Sequence, residues 1–347
     1  MPVPIGAGPA LVLGIALAMV LCAFVAKGGT VVEPTTWTEV GLMLVGATLC
    51  AAALFAARDG GPAAARFGLG TVAAFAALTA LTIVGISWSL VPGDSWLESS
   101  RMLAYLAVLG AGVALARLAP GRSSAVVQGV ALGSTLIAGY AVATKVFPGL
   151  LAPDEPFARL RPPFGYWNSV GLAAALGFPP LLWLGSRRSG HAAANALAWP
   201  ALGLLVVCLL LSYSRGALLA LGVGLAVWFT IVPLRLRAVL TLLGVLVVAV
   251  PVVAWAFAQD GLTLDTPPLS LREGAGLELG ALLLVMIIAL TVAGLAVGFF
   301  VAHRPPSNTI QIRTNRTLVG ALTLVPTIAV LTLTNAPNKI SEQVSKT

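Results

Sequence analysis

The sequence predicts an all-α, polytopic membrane protein with about eleven transmembrane helices and a single membrane domain over residues 1–347. Three observations carry that reading. Of its 347 residues, 59% are hydrophobic and only 9% are charged, with a mean hydropathy of +0.98, outside the composition of soluble globular domains. The apolar residues fall in runs of about 20, the length that crosses the hydrocarbon layer as a helix. The 20 lysines and arginines stand singly and in pairs between those runs, as in loops at a membrane surface. Nucleic-acid binding would gather them in a stripe or tail, so the formal charge of +8 is read without a nucleic-acid partner.

The spans are predicted at 7–27, 37–57, 67–89, 101–118, 125–147, 168–186, 193–212, 217–234, 236–257, 276–302 and 317–335. The first ends in the small-residue sequence AFVA, as a signal peptide does, but no basic residue precedes Lys27 and the run is long enough to span. With the N-terminus inside, the inner loops hold Arg58 and Arg66, Arg117 and Arg122, Arg187 and Arg188, Arg235 and Arg237, and finally Arg304, Arg313 and Arg316. At least two arginines in every inner loop is the positive-inside signature. Of the 12 acidic residues only Asp59 falls on that side, which agrees with it. The C-terminus then lies outside.

Two outer loops stand out, 148–167 (PGLLAPDEPFARLRPPFGYW) and 258–275 (AQDGLTLDTPPLSLREGA). Five prolines in the first remove backbone donors and restrict their neighbours, which predicts an ordered, irregular groove lining. Pro179, Pro180, Pro200, Pro251 and Pro326 fall inside predicted helices, where they are expected to kink or break them. Cys22, Cys50 and Cys208 lie in apolar runs with no CxxC pair, so neither a disulfide nor a metal site is expected.

Proton-coupled carriers need carboxylates or histidines in mid-membrane. Glu39 and Glu278 sit near outer helix ends, and His191 and His303 fall in inner loops. What remains at the outer face is a set of arginines: Arg101, Arg159, Arg161, Arg215 and Arg272. For an arbitrary one of them, snorkelling to lipid phosphates is the bland explanation. Arg215 resists it, because LLLSYSRGALLALGVG leaves almost no loop between two apolar runs. A guanidinium is a permanently charged planar fork suited to phosphate. Arg161, followed by PPFGYWN, supplies a second fork. Tyr166 and Trp167 read equally well as interfacial aromatics, and Asn168 as a helix cap.

RPPFGYWNSVGLAAALGFPPLLWL, with Arg161, Gly165, Asn168 and Gly171, followed some forty residues later by LLLSYSRGALLALGVG, resembles the O-antigen ligase and O-antigen polymerase family of bacterial envelope glycosyltransferases. The stretch ISWSLVPGDSWLESSRMLAYL is similar to that family's outer segment before helix four, so the likeness covers residues 80–230. It implies an all-helical glycosyltransferase of the bacterial cytoplasmic (inner) membrane. Such an enzyme takes a glycan from an undecaprenyl pyrophosphate-linked donor to an acceptor glycan or glycolipid, with no cofactor and no metal. The resemblance implies that Arg161 and Arg215 hold the donor pyrophosphate; beside them Tyr166, Asn168 and Ser214 are expected to line the site, and Arg272 is the candidate for a third phosphate contact.

Members of that family also carry a large outer loop, after the SRG helix, with a histidine or other polar groups near the acceptor and a Gly-rich stretch. Here the 258–275 loop is short and has none, which raises the expectation that the catalytic loop follows residue 347 in a longer parent or is lacking, leaving a chain that binds donor without transferring it. No catalytic base is named: Asp260, Asp265, Glu273 and Glu278 are on the correct side, and none is singled out. Two readings compete with the enzyme. One is a non-catalytic lipid-phosphate binding or transport protein, which needs a polar path inward past Arg215. The other is a structural membrane subunit, in which Arg215→Lys is harmless.

Overall fold

The computed structural model of the chain describes residues 7–29, 31–58, 68–119, 121–187, 192–232 and 235–303. The described residues are all-helical, with no strand among them. In order, the helices are α1 (Ala7–Val25), α2 (Val32–Arg58), α3 (Leu69–Gly85), α4 (Pro92–Leu118), α5 (Ser123–Val146), the single turn α6 (Pro148–Leu151), α7 (Trp167–Ser186), α8 (Ala192–Leu211), α9 (Arg215–Ile231), α10 (Arg235–Phe257), the single turn α11 (Asp260–Thr263) and α12 (Leu269–His303). Eight are long and apolar enough to cross a membrane, and the apolar stretches Asn195–Leu211 and Arg215–Ile231 are shorter. The protein is a multi-pass helical membrane protein.

Ten predicted spans coincide with helices, and the eleventh, 317–335, lies outside the described residues together with Pro326. Three helices begin five or more residues earlier than hydropathy places them: α2 at Val32, α4 at Pro92 and α12 at Leu269. Their first turns are polar, and a hydropathy window registers only the apolar part of a helix. Arg101, placed by sequence at the start of a helix, therefore sits well inside α4. The 258–275 segment is mostly helical instead of a loop, split between α11 and the first turns of α12. Pro179, Pro180, Pro200 and Pro251 lie within α7, α8 and α10, which stay helical through them.

The chain divides into two compact units, residues 1–133 with 163–166, and residues 134–162 with 167–347. In the first, α4 packs against α2 and α3. Gly46 makes the α2–α4 approach possible, since a Cβ there would lie 2.6 Å from the Ala107 carbonyl oxygen. Arg101 ties the same pair together, its Nε 3.8 Å from Glu39 on α2 and its Nη2 donating to the Gly29 carbonyl at 3.3 Å.

In the second unit α8 is the central helix, packed against α7, α10 and α12. Leu202, Leu205, Val207 and Cys208 are fully buried on it. A helix apolar on all sides is stable only when surrounded. Around that centre, α9 packs on α7, α11 on α12 and α6 on α12. The chain turns where α8 meets α9, and Asn168, Ser214 and Arg215 gather about that turn.

Candidate functional site

The segment 152–161 is irregular, as its prolines dictate, yet it is held at every turn. Pro153 and Pro156 have no backbone N–H, so the neighbouring carbonyls look elsewhere for donors. Arg272, on α12, donates to the carbonyls of Ala152 at 3.0 Å, Glu155 at 2.9 Å and Pro153 at 3.4 Å. Lys145, near the end of α5, donates its ammonium to the Phe157 carbonyl at 2.7 Å. The 264–268 connection adds two bonds: Ala158 N–H to Asp265 Oδ1 at 2.9 Å, and Thr266 N–H to the Pro156 carbonyl at 2.9 Å. Finally the Leu160 N–H donates to the Leu211 carbonyl at 3.1 Å, fastening the segment to the end of α8.

Four residues beyond Leu211, α9 begins. Ser214 is its cap: the Oγ accepts from Ala217 N–H at 3.1 Å and donates to Asn168 Oδ1, at the start of α7, at 2.9 Å. One hydroxyl thus satisfies a free donor of α9 and joins the starts of two helices. Gly171 permits the approach, because a Cβ there would lie 2.7 Å from Ser212 Oγ and 2.8 Å from Ser214 Cβ.

Arg215 is the first residue of α9. It is exposed, and its guanidinium makes no hydrogen bond or ion pair among the described residues. No acidic residue lies in that first turn, so its charge adds to the positive end of the helix dipole instead of being offset. The result is a locally electropositive corner. Exposed N–H groups and positive charge at a helix start are what an anion needs.

The other expected site residues are distributed unevenly. Arg161 is half-buried, with Nη1 3.8 Å from Glu155 Oε2 and its guanidinium 4.5 Å over the Phe157 ring. Asn168 and Ser214 are bonded to each other. Arg272, expected as a third phosphate contact, is corrected by its geometry: it is only 7% exposed and its fork is turned to the three loop carbonyls. It shapes the segment that carries the other arginines. Tyr166 belongs to the other unit, where a Cβ on Gly28 (φ +63°) would lie 2.8 Å from Tyr166 Cβ and 3.0 Å from the Phe164 carbonyl.

Sequence reasoning left three neighbours without a role. Arg159 lies between the two bonded residues Ala158 and Leu160; it is exposed, its guanidinium 4.9 Å from the Trp167 ring centre. Tyr213 occupies left-handed backbone at φ +54°, a conformation that costs a non-glycine residue about 1–2 kcal/mol. Its ring packs edge-on against Phe257 at 5.3 Å. Burial pushes its phenol above the usual tyrosine range, with Arg159 opposing the shift and Asp265 adding to it. Asp265 is the third. Only the arginine and aspartate identities were legible in advance; nothing local marks Tyr213 as strained.

Other acids are placed differently. Asp260 and Glu278 line a cleft of about 330 Å³ between α11 and α12, with Gln259 and Ser270. Among the described residues no three His, Cys, Asp or Glu side chains gather as metal ligands would, and His191 lies outside those residues. Compared with protein-family models, curated proteins and solved structures, the chain matches none.

Proposed function

We propose that the α8–α9 corner binds the pyrophosphate of a lipid-linked glycan donor and that the protein transfers the glycan to an acceptor sugar, at the outer face of a bacterial cytoplasmic membrane. The observation that carries the reading is Arg215: an exposed, unpaired guanidinium at the start of a helix capped by Ser214, next to the segment bearing Arg159 and Arg161. Charge develops on the departing phosphate as the glycosidic bond breaks. Preset guanidinium groups stabilise that charge most where water is excluded. The lipid tail stays among the apolar helices, which explains a phosphate site at the end of membrane spans.

The test is glycan transfer from an undecaprenyl pyrophosphate-linked donor by protein in lipid nanodiscs, beside direct binding of undecaprenyl pyrophosphate. Arg215→Ala is expected to abolish transfer and weaken binding. Arg215→Lys is expected to impair both, since a point charge does not replace a bidentate fork. Binding indifferent to both substitutions refutes the reading.

A further inference from the structure

The reading above leaves the acceptor's proton without a destination. A sugar hydroxyl that attacks an anomeric carbon must lose its proton, and a positioned carboxylate is a common recipient. The structure separates the acids of the second unit by what holds each; Asp154 is exposed in the proline-rich segment with no hydrogen bond or ion pair among the described residues to fix its carboxylate. Glu155 faces Arg161. Asp260 and Glu278 line the α11–α12 cleft. Glu273 lies against Gly149 of α6.

Asp265 is different. One carboxylate oxygen is fixed by the Ala158 N–H at 2.9 Å, and the other makes no hydrogen bond or ion pair among the described residues. The residue is exposed. Its partner segment continues through Arg159 to Leu160, which is bonded to Leu211, two residues before Tyr213 and four before Arg215. Three polar heads with no hydrogen bond or ion pair among the described residues therefore flank one short stretch of backbone: the Arg159 guanidinium, the Tyr213 hydroxyl and the second oxygen of Asp265. The charged and titratable groups that act on this corner are Lys145 from α5, Arg159 and Glu155 from the loop, Tyr213 from the α8–α9 turn and Arg272 from α12. Left-handed backbone at both Tyr213 (φ +54°) and Thr266 (φ +62°) is strain of the kind that persists where surrounding structure over-determines a position.

We infer that Asp265 is the proton acceptor for the attacking sugar hydroxyl, with the Tyr213 hydroxyl orienting that sugar. This rests on the transferase reading of the same corner. In the step, the acceptor oxygen bonds to the anomeric carbon, and the bond from that carbon to the pyrophosphate oxygen breaks. The electron pair leaves with the pyrophosphate toward Arg215, and the acceptor's proton passes to the free oxygen of Asp265 and then to water.

Asp265→Asn isolates the role, because an amide oxygen still accepts the Ala158 N–H while the side chain no longer takes a proton. The probe is undecaprenyl-pyrophosphoryl N-acetylglucosamine in nanodiscs, with water and a pool of membrane glycolipids as acceptors, followed by release of undecaprenyl pyrophosphate from pH 4 to 9. Expected are a loss of about 10²–10⁴-fold in turnover, disappearance of the acidic limb of the rate profile, unchanged binding of undecaprenyl pyrophosphate, and partial rescue of Asp265→Ala by formate. Tyr213→Phe is expected to raise KM more than it lowers kcat. An Asp265→Asn variant with wild-type rate and pH profile overturns the assignment while the transferase reading stands. A wild-type protein that neither binds undecaprenyl pyrophosphate nor releases it from the probe overturns both.

Discussion

Replacing Ser214 by alanine tests the corner at its smallest part. Ser214 is 1% exposed, and its hydroxyl makes two bonds, accepting from Ala217 N–H at 3.1 Å and donating to Asn168 Oδ1 at 2.9 Å. Loss of a helix cap costs about 1 kcal/mol, and loss of a buried neutral hydrogen bond about 1 kcal/mol more. The total of about 2 kcal/mol corresponds to roughly a 30-fold shift in the folding equilibrium. Ser214→Gly keeps much of the capping tendency and is expected to lose only about 1 kcal/mol. Asn168→Ala removes the interhelical bond while leaving the cap bond from Ala217 N–H to Ser214 in place. The assay is reversible unfolding in mixed detergent micelles for the single variants and the Ser214→Ala/Asn168→Ala pair. A double-mutant cycle should return a coupling of about 1 kcal/mol. Additive effects, or a Ser214→Ala cost below about 0.5 kcal/mol, would refute the argument that one hydroxyl joins α7 to α9.

Other substitutions test the surrounding structure. Gly171→Ala places a methyl within 2.7–2.9 Å of Ser212, Ser214 and Ala217, so a loss of about 1–3 kcal/mol is expected by the same unfolding assay, with Arg215-dependent donor binding lost alongside. Tyr213→Gly relieves left-handed backbone and should stabilise the fold or leave it unchanged while transfer falls, a combination that tryptophan-fluorescence melting and the transfer assay together detect. Arg272→Met leaves three loop carbonyls without their donor and is expected to cost about 3 kcal/mol or more, with faster hydrogen exchange over 152–161. Because burial raises the Tyr213 phenol, its contribution to stability is complete below the ordinary tyrosine range near pH 10 and is lost as pH rises through the higher folded value. Stability should therefore fall above about pH 10, and Tyr213→Phe should lessen that fall.

Much of the architecture was legible because the bilayer makes hydropathy nearly sufficient: a buried backbone without water must be helical, so long apolar runs become helices. The same logic hid the polar starts of α2, α4 and α12, which no apolar window includes. The candidate site was legible in part. Arg215 announces itself because a charge between two spans has few places to go, and Pro153, Pro156, Pro162 and Pro163 mark the irregular stretch that follows α6. Arg272 was misread, since its fork looks equally suited to a phosphate and to carbonyls deprived of donors. The choice between those two ligands depends on a segment 117–120 residues away in sequence. Asp265 stood equal with three other acids for the same reason.

The two kinds of arginine in this unit obey one physical rule. A guanidinium buried in protein must fill its donors with acceptors already present, and Arg272 does so with backbone carbonyls, rigidifying the proline-rich segment. A guanidinium at the surface is under no such demand, and those of Arg215 and Arg159 make no hydrogen bond or ion pair among the described residues. Lys145 and Arg272 thus spend their charge on holding the loop, and the loop is fastened through Leu160 to Leu211, four residues before Arg215. An isolated surface arginine would be mobile and worth little. On the proposed reading, arginines mounted on a stitched loop and beside a capped helix are preorganised, which lowers the ordering cost of binding an anion.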